Sequence, residues 1–138
     1  IEAYDVSHFG GKEVVGVVTV VENGEINKSE YRKFKIKVDK NDDTGGLKEI
    51  LSRRLNHKEW RKPDIVVVDG GLAQINTAKS IIKNISIVSV VKDNTHKPNH
   101  IIGDTDLIRK YLKSILLANS EAHRFAIAYQ RSLRERFH

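Results

Sequence analysis

The sequence predicts an α/β domain built on a mixed five-stranded sheet with helices on its faces, in the order β-β-β-α-β-α-β-α. Three observations predict it. The N-terminal third holds Val- and Thr-rich stretches separated by Gly-containing turns. The middle carries a continuous apolar run, Ile65 to Val68, and a second Ile- and Val-rich stretch, Ile85 to Val91, that reads as another buried strand. Apolar residues at helical spacing precede, separate and follow those two runs.

The first strand is the apolar stretch from Ile1 to His8, which contains Asp5. His8-Phe9-Gly10-Gly11 reads as a turn, and Val14 to Val21 as the second strand. Asn23-Gly24 is a strong hairpin signal, because a two-residue turn of the favoured hand needs positive φ at both positions. Ser29 to Val38 follows as the third strand, with Tyr31, Phe34, Ile36 and Val38 as its apolar residues. After a polar loop, Leu47, Ile50, Leu51 and Leu55 recur at helical spacing and predict the first helix. Pro63 ends the connection to the fourth strand, whose unbroken apolar run is typical of a strand covered on both faces. A second helix is expected over about Ala73 to Lys83, then the strand Ile85 to Val91, then a polar loop from Lys92 to Asp104. The final helix runs from about Thr105 to Phe137, with Ile108, Leu112, Ile115, Ala122, Ala126, Tyr129 and Leu133 as its apolar stripe. This order of elements is that of the ribonuclease H architecture. There the first and fourth strands are neighbours, and the last helix crosses near their polar ends.

A length of 138 residues suits one domain with a real core. No apolar run is long enough to cross a bilayer. The chain opens in a strand with neither an initiator Met nor a signal-peptide pattern, so it is expected to be a domain excised from a longer polypeptide. Without cysteine, disulfides and thiolate metal sites are excluded, and any metal must be held by oxygen and imidazole. A cytoplasmic location fits that composition. The net charge of +6 favours a polyanionic partner, with a solvated basic surface as the plain alternative.

Asp5 and Asp69 are the strongest candidates for chemistry. Each lies in or ends an apolar strand, where a carboxylate is costly unless its charge is offset. A divalent cation shared between neighbouring strands would offset both. Mg²⁺ and Mn²⁺ prefer carboxylate and water oxygens and keep waters that a phosphate replaces. Together, in this strand order, the two aspartates favour a site; taken singly, Asp5 reads more readily as a turn carboxylate bonded to backbone N–H groups. Asp69-Gly70-Gly71 likewise reads as an ordinary strand-to-helix turn. His123, in Glu121-Ala122-His123-Arg124-Phe125-Ala126, lies beside the apolar stripe; it is either a packed residue or a ligand and proton donor. Asp42 and Asp43 are placed to cap the first helix or to add a carboxylate. Lys92, His96 and Lys97 follow a buried strand and could clamp phosphate, as could Arg124 and Arg131 beside Arg134 and Arg136. The glycine pairs do not form a dinucleotide or P-loop fingerprint.

Along almost its whole length the sequence resembles the C-terminal endonuclease domain of UvrC, the nuclease of bacterial nucleotide excision repair. Asp5-Val6-Ser7-His8 resembles the family's opening Asp-x-Ser-His, and Ser29 to Ile36 its Ser-x-Tyr-Arg-x-Phe-x-Ile strand. Asp42-Asp43 resembles its Asp-Asp before the first helix. Val68-Asp69-Gly70-Gly71 with Gln74 and Asn76 resembles its Val-Asp-Gly-Gly-x-x-Gln-x-Asn. Lys92-Asp93 with His96 resembles the loop after the fifth strand, and Glu121 to Ala126 the last helix motif. The chain departs at Leu72-Ala73, where the family usually has Lys-Gly. The resemblance implies a ribonuclease H fold and a site for Mg²⁺ or Mn²⁺ made by Asp5, Asp69 and His123. It also implies 5′ incision of the damaged strand of double-stranded DNA, with UvrA and UvrB as partners. The alternatives are a non-catalytic ribonuclease H-like module binding nucleic acid or protein, and a resolvase-like or RNA-cleaving enzyme.

Overall fold

A computed structural model of the chain describes residues 1–7, 14–37 and 44–135, apart from the side chain of Arg134. His8, Gly10, Gly11, Val38, Asp42, Asp43 and Arg136 lie outside the described residues. The strands are β1 (Glu2–Ser7), β2 (Val14–Glu22), β3 (Glu25–Ile26), β4 (Arg32–Ile36), β5 (Ile65–Asp69), β6 (Ser86–Lys92) and β7 (Pro98–Ile102). The helices are α1 (Gly45–Leu55), α2 (Leu72–Ile81) and α3 (Thr105–Glu135). The sheet order is β3-β2-β1-β5-β6-β7, with β4 also pairing β2. β1, β5 and β6 run parallel; β2, β4 and β7 are antiparallel to their neighbours.

The expected mixed α/β sheet is present, with two corrections to its strands. The stretch expected as one strand from Ser29 to Val38 is divided. A short return strand β3 pairs Val21 with Ile26, a single 3-10 turn follows at Lys28–Glu30, and β4 begins at Arg32. Asn23 and Gly24 have φ of 51° and 81°, the positive pair that the tight hairpin needs. The second correction lies in the loop expected from Lys92 to Asp104, which contains β7 at the sheet edge. Its first residue is Pro98, and Pro is tolerated at an edge-strand start, where no ladder N–H is required.

The strands alternate cleanly between two faces. Tyr4, Val18, Phe34, Ile36, Val66 and Val68 pack under Leu47, Ile50 and Leu51 of α1 and Ile75 and Ala78 of α2. Ala3, Val17, Val21, Ile65, Val67, Val88 and Val90 pack under Ile115, Ala118, Ala122 and Ala126 of α3. The three alanines let α3 approach closely, and Thr19 Oγ1 on β2 donates to the Ala118 carbonyl at 2.9 Å. Period-two alternation therefore decides which residues reach α3. On β1 they are Ala3, Asp5 and Ser7; on β5, Ile65, Val67 and Asp69.

One buried ionic group lies within the first core. Glu2 and Arg54 are both buried, and Arg54 forks onto the Glu2 carboxylate through Nε at 2.9 Å and Nη2 at 2.7 Å. The Tyr4 hydroxyl donates to the same carboxylate. Arg54 also reaches the carbonyls of His57 (3.3 Å) and Arg61 (2.6 Å), which fixes the descent from α1 into β5.

Candidate active site

β1 and β5 are paired in parallel at Glu2 with Val66 and at Ala3 with Val67. Two residues further along each strand stand Asp5 and Asp69, with the parity of Ala3 and Val67. Both carboxylates thus leave the sheet on the α3 side, toward the C-terminal ends of their strands. β6 adds a third group by the same rule: Val88 and Val90 face α3, and Lys92 is next in that alternation. Asp5, Asp69, Lys92, His96 and His123 line one open depression of about 420 Å³.

Within it the side chains form one ion pair, Asp69 with Lys92, and one carboxylate–imidazole contact. His123 Nδ1 lies 3.4 Å from Asp5 Oδ2. The Asp69 Oδ2 atom accepts from the Lys92 ammonium and, at 3.2 Å, from the Asn119 amide. Asp69 does not cap α2. That task falls to Gln74, whose side-chain oxygen accepts from the Gly71 N–H at 3.0 Å. Gly70 makes the turn possible: its φ is 133°, and a Cβ there would meet Gln74 at 2.7 Å. Its N–H donates to Val90 O at 2.9 Å, and its carbonyl accepts from Ser89 Oγ, so the backbone just after Asp69 is pinned to β6.

The donors are carboxylate oxygen and imidazole, which suits a hard or borderline divalent cation. Lys92 stands in for such a cation at Asp69, since its ammonium offsets the carboxylate where β5 ends. Among the described residues no three Asp, Glu or His side chains are gathered closely enough to enclose an ion. Asp5–His123 and Asp69–Lys92 are instead neighbouring pairs opening on one depression. Another hollow, of about 370 Å³, opens at the other end of the sheet among Ile1, Glu22, Arg61, Asp64 and Tyr111. There Glu22 is paired with Arg61 at 3.3 Å and no imidazole contributes, so the chemistry is argued at the Asp5 end.

Donation from its ring N–H to the Asp5 carboxylate holds the His123 pKa above its ordinary value, against burial; attraction to Asp5 helps and Lys92 opposes. A raised folded-state pKa contributes stability fully below the unfolded value of about 6.5 and loses it as pH rises through the folded value. His123 is 52% exposed, so the contribution is at most about 1 kcal/mol. In EDTA, the melting temperature of the wild type should therefore fall more between pH 6 and pH 8 than that of His123→Gln. Equal slopes by differential scanning fluorimetry would contradict the pairing.

The remaining candidates are dispersed. His96, at φ 63°, sits in a turn that Asp93 organises by accepting from Thr95 N at 2.8 Å and Lys97 N at 3.0 Å. The Lys97 side chain is exposed and does not line the depression. Arg124 is committed to Glu121 at 2.8 and 2.9 Å, and Glu121 also accepts from the Tyr31 hydroxyl. Arg131 is exposed further along α3. The sequence names one group of the site, Lys92, in another setting, and misses a second, Asn119. Lys92 was assigned to a loop phosphate clamp although it continues the Val88-Val90 alternation. Asn119 had only a faint signal, its position four residues before His123.

The family described as the UvrC RNAse H endonuclease domain matches residues 1–127. The chain belongs to that family. It is 38% identical over 148 residues to UvrABC system protein C of Caldicellulosiruptor saccharolyticus, covering 99% of this chain and 25% of that protein. Identity to the protein of the same name from Clostridium botulinum is 39% over 162 residues, covering 97% and 26%. The chain thus spans about a quarter of the length of the curated relatives it matches. Among solved structures, endonuclease V of Ciona intestinalis is similar over 81% of this chain and 53% of its own, at 13% identity and a TM-score of 0.48. Human ENDOV is similar over 79% and 51%, at 14% identity and a TM-score of 0.47.

Proposed function

We propose that the chain is a Mg²⁺- or Mn²⁺-dependent endodeoxyribonuclease domain that hydrolyses a phosphodiester of the damaged strand, on the 5′ side of a lesion. The single observation that carries this reading is the pair of aspartates toward the C-terminal ends of two adjacent parallel strands in one depression, beside an imidazole and an ammonium. Membership of an endonuclease-domain family supports it. Asp5, Asp69 and His123 are the residues proposed to hold the cation. When bound, it would supply Lewis-acid polarisation of the phosphoryl oxygen and a nucleophilic water at neutral pH. Lys92 then has a second task, because an ammonium displaced from Asp69 stays within reach of an incoming phosphate oxygen. In place of ligation, a protonated His123 released from Asp5 could hand a proton to the departing 3′ or 5′ oxygen, the cation then resting on Asp5 and Asp69. The net charge of +6 draws the polyanion to the domain.

UvrA and UvrB are proposed as partners from the relatives' shared name, UvrABC system protein C. A cytoplasmic location is proposed with them; no helix among the described residues is long and apolar enough to cross a membrane. The deciding experiment measures strand nicking of lesion-bearing duplex in Mn²⁺, in Mg²⁺ and in EDTA, beside undamaged duplex, branched DNA and an RNA–DNA hybrid. Nicking of duplex DNA that requires the divalent ion is expected. Duplex binding without cleavage, together with no Mn²⁺-dependent rise in melting temperature, identifies a binding module instead.

A further inference from the structure

The last helix touches both acidic strands, and it does so through two residues one turn apart. His123 meets Asp5 in the C-terminal half of β1, and Asn119 meets Asp69 at the end of β5. Residues four apart share a helix face, so a single placement of α3 sets both contacts. We propose that Asn119 is a positioning residue for Asp69, holding its carboxylate in the orientation that the cation requires. This rests on the nuclease reading above.

Burial is the first support. Asn119 is 2% exposed on a stretch of α3 otherwise lined by Ile115, Ala118, Ala122 and Ala126. A buried amide is costly unless its donors are used, and alanine would continue that stripe at no such cost. The amide's recorded partner is Asp69 Oδ2. The second support is the pattern of bonds on Asp69. Both donors, the Lys92 ammonium and the Asn119 amide, fall on the same oxygen. A carboxylate on a strand end can turn about its terminal bond, and one donor leaves that rotation loosely defined. Two donors from different elements, β6 and α3, hold Oδ2 in place. Oδ1 accepts no hydrogen bond among the described residues and is left to serve as ligand.

The two donors also differ in permanence. Lys92 is cationic and flexible, so a divalent ion near Asp69 repels it. Asn119 is neutral and buried, so its bond survives the ion's arrival and keeps the carboxylate oriented when Lys92 has moved. Outer contacts of this kind commonly change metal affinity or activity by about ten- to a hundred-fold.

Asn119→Ala and Asn119→Leu test this without endangering the fold, since each supplies a good helix former. Ala admits water into the vacated space and Leu excludes it. Mn²⁺ binding is read from the electron paramagnetic resonance signal of the free ion, and nicking is followed in parallel. Both variants should bind Mn²⁺ about ten-fold more weakly, and Leu at least as weakly as Ala. Turnover should fall while KM for DNA stays at the wild-type value, a split that a merely structural residue would not produce. A metal-free reading comes from the Asn119 side-chain amide resonances, which should move when Asp69 is replaced by Asn. Variants that bind Mn²⁺ as tightly as a binding-competent wild type overturn the positioning role alone. Amide resonances indifferent to Asp69→Asn overturn the contact itself. A wild-type chain that takes up no Mn²⁺ overturns the nuclease reading, and this inference with it.

Discussion

Asp69→Asn is expected to lower the rate of strand nicking by at least about a thousand-fold while the protein stays folded. The substitution keeps the shape of the side chain and removes its charge. An asparagine at this position can still offer a carbonyl oxygen to both Lys92 and the Asn119 amide, so the local bonds survive in neutral form. What is lost is a full negative charge at the end of a parallel strand, and with it the electrostatic basis for a bound cation. The effect on DNA has the opposite sign. One anion is removed from the depression proposed to admit phosphate, and Lys92 is released from its Asp69 partner, so affinity for duplex is expected to be unchanged or slightly higher. Single-turnover nicking of supercoiled plasmid measures the first effect and a filter-binding titration the second. Nicking at the wild-type rate would reject Asp69 as part of the site.

How much of this was legible beforehand depends on how local each signal is. The apolar run ending in Asp69 and the Asn23-Gly24 turn are complete within a few residues, and both read correctly. β7 did not, because an exposed edge strand has little apolar alternation to display. Pro98, Asn99 and His100 are all exposed, so the segment looks like the loop beside it. The division of the third strand was hidden by Tyr31, which looks like a strand residue but stands between the 3-10 turn and β4. It turns toward α3, where its ring lies 5.2 Å from Phe125 and its hydroxyl meets Glu121. The convergence of Asp5 with His123 was readable only through topology, since 118 residues separate them and no spacing rule links them. Asn119 left only a faint trace and Glu2 no usable one. A polar residue on an apolar face announces that it has a partner without saying which.

Glu2 shows what such a partner is worth. Arg54→Met is expected to destabilise the fold by about 3–5 kcal/mol, the usual consequence of stripping one member from a buried ion pair. Methionine fills much of the space but offers nothing to the Glu2 carboxylate, which would keep only the Tyr4 hydroxyl. The carbonyls of His57 and Arg61 would lose their shared donor as well. Burial works against the charge on Arg54, yet its bonds and attraction to Glu2 outweigh that and raise its pKa above the ordinary value. Burial first, and then the neighbouring carboxylate, likewise push the Tyr4 hydroxyl well above the usual tyrosine range, so it remains a donor at any working pH. The cost of the variant is therefore mostly that of an abandoned anion, and a second substitution should relieve it. Glu2→Gln in the Arg54→Met background removes the stranded charge and should recover a large share of the lost stability, although Glu2→Gln alone is destabilising. Urea unfolding of the four proteins gives the coupling directly. Additive effects would mean that Glu2 and Arg54 do not depend on each other, and that the bond linking α1 to the strand carrying Asp5 contributes little to holding the site in place.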